Sequence, residues 1–338
     1  MTEGMKALVY EGPRRLQIRR LPVPQPAEGE VLIQVATAGI CGSELSGYLG
    51  QSSIRIPPLV MGHEFAGTIA AIGSGVQGLR PGDRVAANPL VSCLRCRCCA
   101  KGQPQLCPER RLLGAHAPGA FAEYVVVPDR NVYLLRDGVG FEDGAFAEPL
   151  ACGIHACRLL ELQPTDSLFI AGGGPIGLLL LQAAKRFGVR HIVVSDLNES
   201  RLAVARELGA AAVKTTEELT YHRPKGGFDA VVDAVGVGAT RVACLEQARP
   251  GGSVAFIGLH EATSALPVND AIRSEIRMFG SFAYTPFDFE TALQWIEEGS
   301  IRTASWTVQA PLEEGAECFE RLIEGKGAAA KILLSISS

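Results

Sequence analysis

The chain has 338 residues and a mass of 35.8 kDa, too long for a single hydrophobic core to organise, so two domains are expected. Apolar residues make up 47% and charged residues 20%, close to ordinary soluble proteins, which leaves no compositional case for disorder. A net charge of −4 and a pI near 5.9 exclude the basic footprint of a nucleic-acid-binding protein, so small molecules are the expected partners.

In chain order, the opening M-T-E-G-M-K-A-L-V-Y has no charged leader before an apolar stretch of signal length, which gives a cytoplasmic expectation. From Met5 to about Tyr133 the pattern is short and strand-like, with segments such as 31–36 and 123–127 separated by Gly and Pro. Near Phe141 the pattern turns helical. From Ser167 onward apolar strands, expected at 167–171, 191–195, 228–232, 253–257 and 277–282, alternate with amphipathic helices, which is the signature of βαβ units on a parallel sheet. The longest apolar run, Ile176 to Ala184, is far below the ~18 residues of a membrane span and reads as a buried helix, so no membrane association is expected. Helical stretches at 289–298 and 313–323 and a strand at 331–334 are too little for a domain and are expected to pack on the first half. The fold class expected is α/β, with a mostly-β domain from 1–150 and 286–338 and a doubly wound parallel sheet over 151–285.

Three groups of residues carry chemistry. Cys93, Cys96, Cys99 and Cys107 stand at the spacing C-x2-C-x2-C-x7-C in a lobe of about 90–110. A compartment that keeps thiols reduced favours metal over disulfides, and a closed shell of four thiolates suits a structural zinc with no open position. Cys98 breaks the spacing and is read as a bystander. Second, A171-G-G-G-P-I-G177 ends an expected strand and opens a helix, giving G-x-G-x-x-G as Gly172, Gly174 and Gly177. Gly172 permits the tight turn, Gly174 lets backbone approach a pyrophosphate, and Gly177 lets the helix pack closely on the sheet. Asp196, about 20 residues on, is placed to accept hydrogen bonds from an adenosine ribose and would repel a phosphate there, so NAD is expected over NADP. Arg201 can either pack over adenosine or tolerate a phosphate. The third group is scattered: Cys41, His63 with Glu64, and Glu148. Each has a plain structural explanation alone, but a mixed sulfur, nitrogen and oxygen set is what an open catalytic zinc uses.

The combination of G62-H-E64, the four-cysteine lobe, P81-G-D-R-V85, E148-P149 and the glycine loop resembles the zinc-dependent medium-chain dehydrogenase/reductase family over essentially the whole chain. C41-G-S43, G144-A-F-A-E-P-L150, G153-I-H-A-C-R158 and G280-S-F-A-Y284 are most similar to its polyol branch, that of sorbitol and galactitol-1-phosphate dehydrogenases. The resemblance implies a GroES-like catalytic domain beside a Rossmann domain. It implies a catalytic zinc on Cys41, His63 and Glu148, with Glu64 beside the metal as a possible exchanging ligand, and a second, structural zinc in the cysteine lobe. NAD contacts at Ile176, Asp196, Arg201, Leu259 and Phe282 follow from it too, as does a homodimer or homotetramer. The implied reaction passes hydride between NAD and a secondary alcohol or ketone, with Ser43 hydrogen-bonding the alcohol and opening the proton path; its plain alternative is a turn-stabilising hydroxyl.

The chain departs from the pattern at three places. Ser46 stands where many relatives carry a relay histidine, Glu44 replaces the more usual Asp, and Ala283 occupies a position where sorbitol dehydrogenases commonly have an arginine that holds polyol hydroxyls. The missing arginine counts against sorbitol itself; the resemblance still implies a polyol or sugar alcohol, phosphorylated or not, as the substrate, with diols, amino alcohols and other secondary alcohols as alternatives. A zinc-free enone reductase of the same superfamily would use NADPH and keep its activity in Cys41→Ala, and Asp196 and His63 count against it. A non-catalytic redox sensor binding NAD and zinc is the alternative of another class.

Overall fold

The computed structural model describes residues 4–325 and 330–336. The chain divides into two compact units, Met1–Glu148 with Thr285–Ser338, and Pro149–Tyr284.

In the first unit the centre is the strand Glu30–Gly39, where Val31, Ile33 and Val35 are fully sealed from solvent. β-branched residues fit the pleat, and alternation sends one set of side chains into the core. This strand is antiparallel to Glu64–Ile72 on one side and to Lys331–Ser335 on the other, while Tyr124–Pro128 pairs with its beginning. Arg84–Ala87 and Val132–Leu134 extend the sheet beyond Glu64–Ile72, and Thr307–Pro311 extends it beyond Lys331–Ser335. Register positions the site. Gly39 faces Glu64 on one neighbour and Leu333 on the other, so Cys41, Glu64 and Lys331 reach the same end of three adjacent strands. The expected helix at 313–323 is Gly315–Glu324, whose Phe319 meets Tyr48 edge-on at 5.2 Å between ring centroids.

The second unit is a six-stranded sheet with every pairing parallel. Its order is Ala211–Val213, His191–Ser195, Ser167–Ala171, Phe228–Asp233, Ala248–Phe256 and Arg277–Gly280, the doubly wound arrangement in which the first strand lies at the centre. Ser167–Ala171 is buried at all five positions, as a central parallel strand requires. The helix expected around 176–184 spans Pro175–Arg186. Two boundaries differ from expectation. The fifth strand begins at Ala248 and runs through Pro250-Gly251-Gly252 with a register shift, and the sixth ends at Gly280. Ala211–Val213 is an additional edge strand, too short for alternation to reveal.

Candidate active site

Cys41 ends the turn after the central strand and caps the helix Gly42–Tyr48. Its N–H donates to Glu44 Oε2 at 3.0 Å, and its Sγ accepts from the Ser43 hydroxyl at 3.5 Å. Glu44 is completely buried, and its other oxygen accepts the Gly62 N–H at 2.7 Å and faces His63 Nδ1 at 2.8 Å. A carboxylate accepts only, so Nδ1 carries a proton and Nε2 is the ring nitrogen left for a metal to take. Gly62 takes φ +99°, and a Cβ there would fall 2.6 Å from the Phe121 amide nitrogen, so only glycine fits before the histidine.

Donor atoms of Cys41, His63 and Glu64 lie within 4.8 Å of one another. Glu64 is buried and ion-paired to Lys331 Nζ, itself buried. Glu148, in the first turn of the helix Ala147–Leu159, is also buried but is not a member of that group. Burial works against charge on His63, yet Glu44 and the Cys41 sulfur outweigh it and raise the imidazole well above its usual range. Burial likewise opposes ionised Glu44, while His63, Arg55 and the Cys41 N–H bring its carboxyl below the usual range. The donor chemistry fits zinc: one thiol, one imidazole oriented by a buried carboxylate, and a carboxylate close by.

The four lobe cysteines also gather, with Cys96 Sγ 3.5 Å from Cys99 Sγ and Cys107 Sγ 3.4 Å from Cys93 Sγ. Those separations are too long for disulfides and close to the ~3.8 Å edge of a tetrahedron with ~2.3 Å metal–sulfur bonds. The Cys99 backbone N–H holds the Cys96 thiol down at about 7, while burial pushes Cys99 up to about 11. Cys98 stands outside the group.

In the second unit, Gly172 makes the turn after Ser167–Ala171 with φ +107°, and Gly174 caps the helix Pro175–Arg186. A Cβ on Gly174 meets nothing within 4 Å, whereas one on Gly177 would collide with the Gly172 carbonyl. Open space beside the helix start therefore remains for a ligand phosphate, near the Ile176 and Gly177 N–H groups of the first turn, where a helix supplies no carbonyl partner of its own. Asp196 directly follows the next strand, His191–Ser195; its Oδ2 accepts the Gly173 N–H and its Oδ1 the Asn198 N–H, each at 2.8 Å, and Arg201 Nη1 approaches Oδ2 at 3.6 Å. Leu259 and Phe282 are both exposed.

Three residues escape sequence reading. Glu44 is visible as a substitution, but its hold on His63 is not. Lys331 carries a usable signal, a charge opening an apolar strand. Arg55, whose Nη2 donates to Ser43 Oγ at 3.1 Å, carries none.

Residues 27–137 match the Alcohol dehydrogenase GroES-like domain and residues 175–298 the Zinc-binding dehydrogenase domain. The chain belongs to the zinc-dependent medium-chain dehydrogenase/reductase family. It is 34% identical to a sorbitol dehydrogenase of Bacillus subtilis (strain 168), over 98% of this chain and 97% of that protein. To a D-arabitol-phosphate dehydrogenase of Enterococcus avium it is 33% identical, over 96% of each. A solved structure of an alcohol dehydrogenase from Escherichia coli CFT073 complexed with NADH superposes with a TM-score of 0.92 at 29% identity, over 99% of this chain and 100% of that one. Among the described residues no helix is long and apolar enough to cross a membrane.

Proposed function

We propose that this protein is a zinc- and NAD-dependent dehydrogenase interconverting a polyol or sugar alcohol, free or phosphorylated, and its ketone. The observation that carries this reading is the gathering of half-buried Cys41 with buried His63 and Glu64, with His63 turned by Glu44 so that Nε2 faces away from the carboxylate. The relatives named sorbitol and D-arabitol-phosphate dehydrogenase support the substrate class, and the NADH-bound neighbour supports the cofactor.

Cys41 and His63 would hold the catalytic metal. Glu64 is engaged by Lys331, which argues for Glu148 as the third permanent ligand and for Glu64 as one that exchanges. Zinc there supplies a Lewis acid that makes an alcohol proton easier to remove, and nicotinamide accepts the hydride. The remaining work falls to the chain. Ser43, beside the Cys41 sulfur, holds the substrate hydroxyl and takes its proton. With Ser46 in place of a relay histidine, that proton leaves through water. The glycine loop and Asp196 bind the dinucleotide, and the four lobe cysteines hold a structural zinc. A homodimer or homotetramer is the expected assembly, to be read by sedimentation.

The test is a screen of polyols, sugar phosphates, diols and amino alcohols with NAD and NADP, following reduced-cofactor absorbance, together with zinc counts for Glu148→Gln and Glu64→Gln. Turnover of no alcohol by zinc-replete protein sinks the reading. Full zinc retention in Glu148→Gln removes Glu148 from the ligand set and leaves the reaction standing.

A further inference from the structure

The least comfortable charge in the first unit is Arg55, which is only 4% exposed. Its Nη2 donates to Ser43 Oγ at 3.1 Å, and Ser43 in turn reaches Cys41 Sγ at 3.5 Å, so the guanidinium stands two hydrogen bonds from the Cys41 sulfur. Its Nε is buried with no hydrogen-bond partner. Among the described residues no carboxylate comes within ion-pair distance of it. Glu44, whose field it modifies, already accepts from the Cys41 and Gly62 N–H groups and faces His63. The side chain is not free to swing away: it packs on Gly47, where a Cβ would fall 2.6 Å from Arg55 Cδ.

A buried guanidinium lacking an anion is costly, and an orphaned N–H adds to the cost. Arginine cannot accept a proton, so Arg55 is no substitute for the relay histidine missing at Ser46. What it offers is a fixed fork of donors beside the hydroxyl that holds the substrate.

We propose that Arg55 binds an oxyanion carried by the substrate, a phosphate or a carboxylate on a carbon near the reacting alcohol, and so makes this enzyme selective for anionic polyols. The inference rests on the dehydrogenase reading above and narrows its substrate. The field of Glu44 only partly offsets this charge, the substrate's anion supplies the contact partner that the described residues do not, and the planar fork suits a two-oxygen contact.

The experiment compares wild type, Arg55→Lys and Arg55→Met, each zinc-replete. Calorimetry without cofactor measures binding of inorganic phosphate; steady-state kinetics with NAD compares a polyol phosphate, an aldonic acid and the neutral polyol of the same carbon skeleton. Wild type should bind phosphate saturably, Arg55→Met should lose that binding, and Arg55→Lys should retain part of it. In Arg55→Met, KM for the preferred anionic substrate should rise roughly 10–100-fold more than KM for the neutral polyol, the extra factor being the lost charge-assisted hydrogen bond and the shared part being the loss of the Ser43 contact. Whichever of the two anionic arms responds identifies the group as phosphate or carboxylate. If Arg55→Met folds poorly, Arg55→Lys carries the comparison, since it keeps the charge and loses the fork. The proposal is overturned if wild type binds no phosphate, or if the Arg55 variants slow neutral and anionic substrates alike, which would make Arg55 a structural support for Ser43. Turnover of neutral polyols alone overturns it and leaves the dehydrogenase reading intact; turnover of no alcohol overturns both.

Discussion

His63 Nδ1 and Glu44 Oε1 stand 2.8 Å apart with both side chains sealed from water. That contact sets the imidazole tautomer, and the same carboxylate ties down the backbone on both flanks, at Cys41 and Gly62. Glu44→Gln should therefore fold but release zinc from this site 10–100-fold more readily, the usual range when a partner of a ligating histidine is lost. Competition with a graded chelator measures this; unchanged retention would show that the contact does not govern metal affinity.

Lys331 balances the charge of Glu64 in the interior. Lys331→Met strands a buried carboxylate and should cost ~3–5 kcal/mol in zinc-depleted protein, much of it recovered in the double variant Lys331→Met with Glu64→Gln. Denaturant melts of the two singles and the double give the coupling. A double variant as unstable as the sum of the singles would mean that the two residues act independently.

The two glycines of the dinucleotide loop should separate folding from binding. Gly177→Ala drives a methyl into the Gly172 carbonyl and should lower the melting temperature as well as dinucleotide affinity. Gly174→Ala faces open space and should leave melting nearly unchanged while weakening dinucleotide binding. Calorimetric titration with NAD beside a melting curve distinguishes them, and normal NAD affinity in Gly174→Ala would place the pyrophosphate elsewhere.

Metal counts test the lobe. Cys107→Ser should remove about one zinc per chain, because a four-sulfur shell tolerates no missing member, whereas Cys98→Ser should remove none. Loss of metal from the Cys98 variant would make the bystander a ligand.

Acid sensitivity in the second unit should trace partly to Asp229. Burial raises its carboxyl pKa, but Ser167 N–H and hydroxyl and the Arg249 guanidinium all donate to it and outweigh that, holding it below the ordinary carboxylate range. A lowered folded-state pKa stabilises the fold above the unfolded value of about 3.9, and that stability drains away as pH falls through the folded value. Asp229→Asn should cost ~1 kcal/mol at pH 7 and progressively less as pH drops below about 4. Urea melts at both pH values check it; an equal deficit at each would exclude an electrostatic origin.

Some of this was readable in one dimension because its chemistry is compressed into short windows. The glycine loop works through three positions in six residues, and four thiols within fifteen residues close one shell. The strands at 167–171 and 191–195 were legible because parallel strands buried on both faces are continuous apolar runs, as 167–171 is throughout and 192–194 is at the centre of its strand. Ala211–Val213 was not, since three residues carry no period. The group around Cys41 is assembled by register: Glu64 and Lys331 meet because Gly39 pairs with neighbours on both sides, and no spacing in the chain encodes that. The contact of Arg55 with Ser43 is equally invisible, because it depends on how the loop after Gly42–Tyr48 folds back.

The pairing of Glu64 with Lys331 joins positions 267 residues apart. A segment containing Cys41, Glu44, His63 and Glu64 but lacking the Lys331–Ser335 strand would hold the same donors with one positive charge fewer. Docking of the Lys331–Ser335 strand places a buried positive charge on Glu64, so the net charge around this donor set is fixed by two segments far apart in the chain.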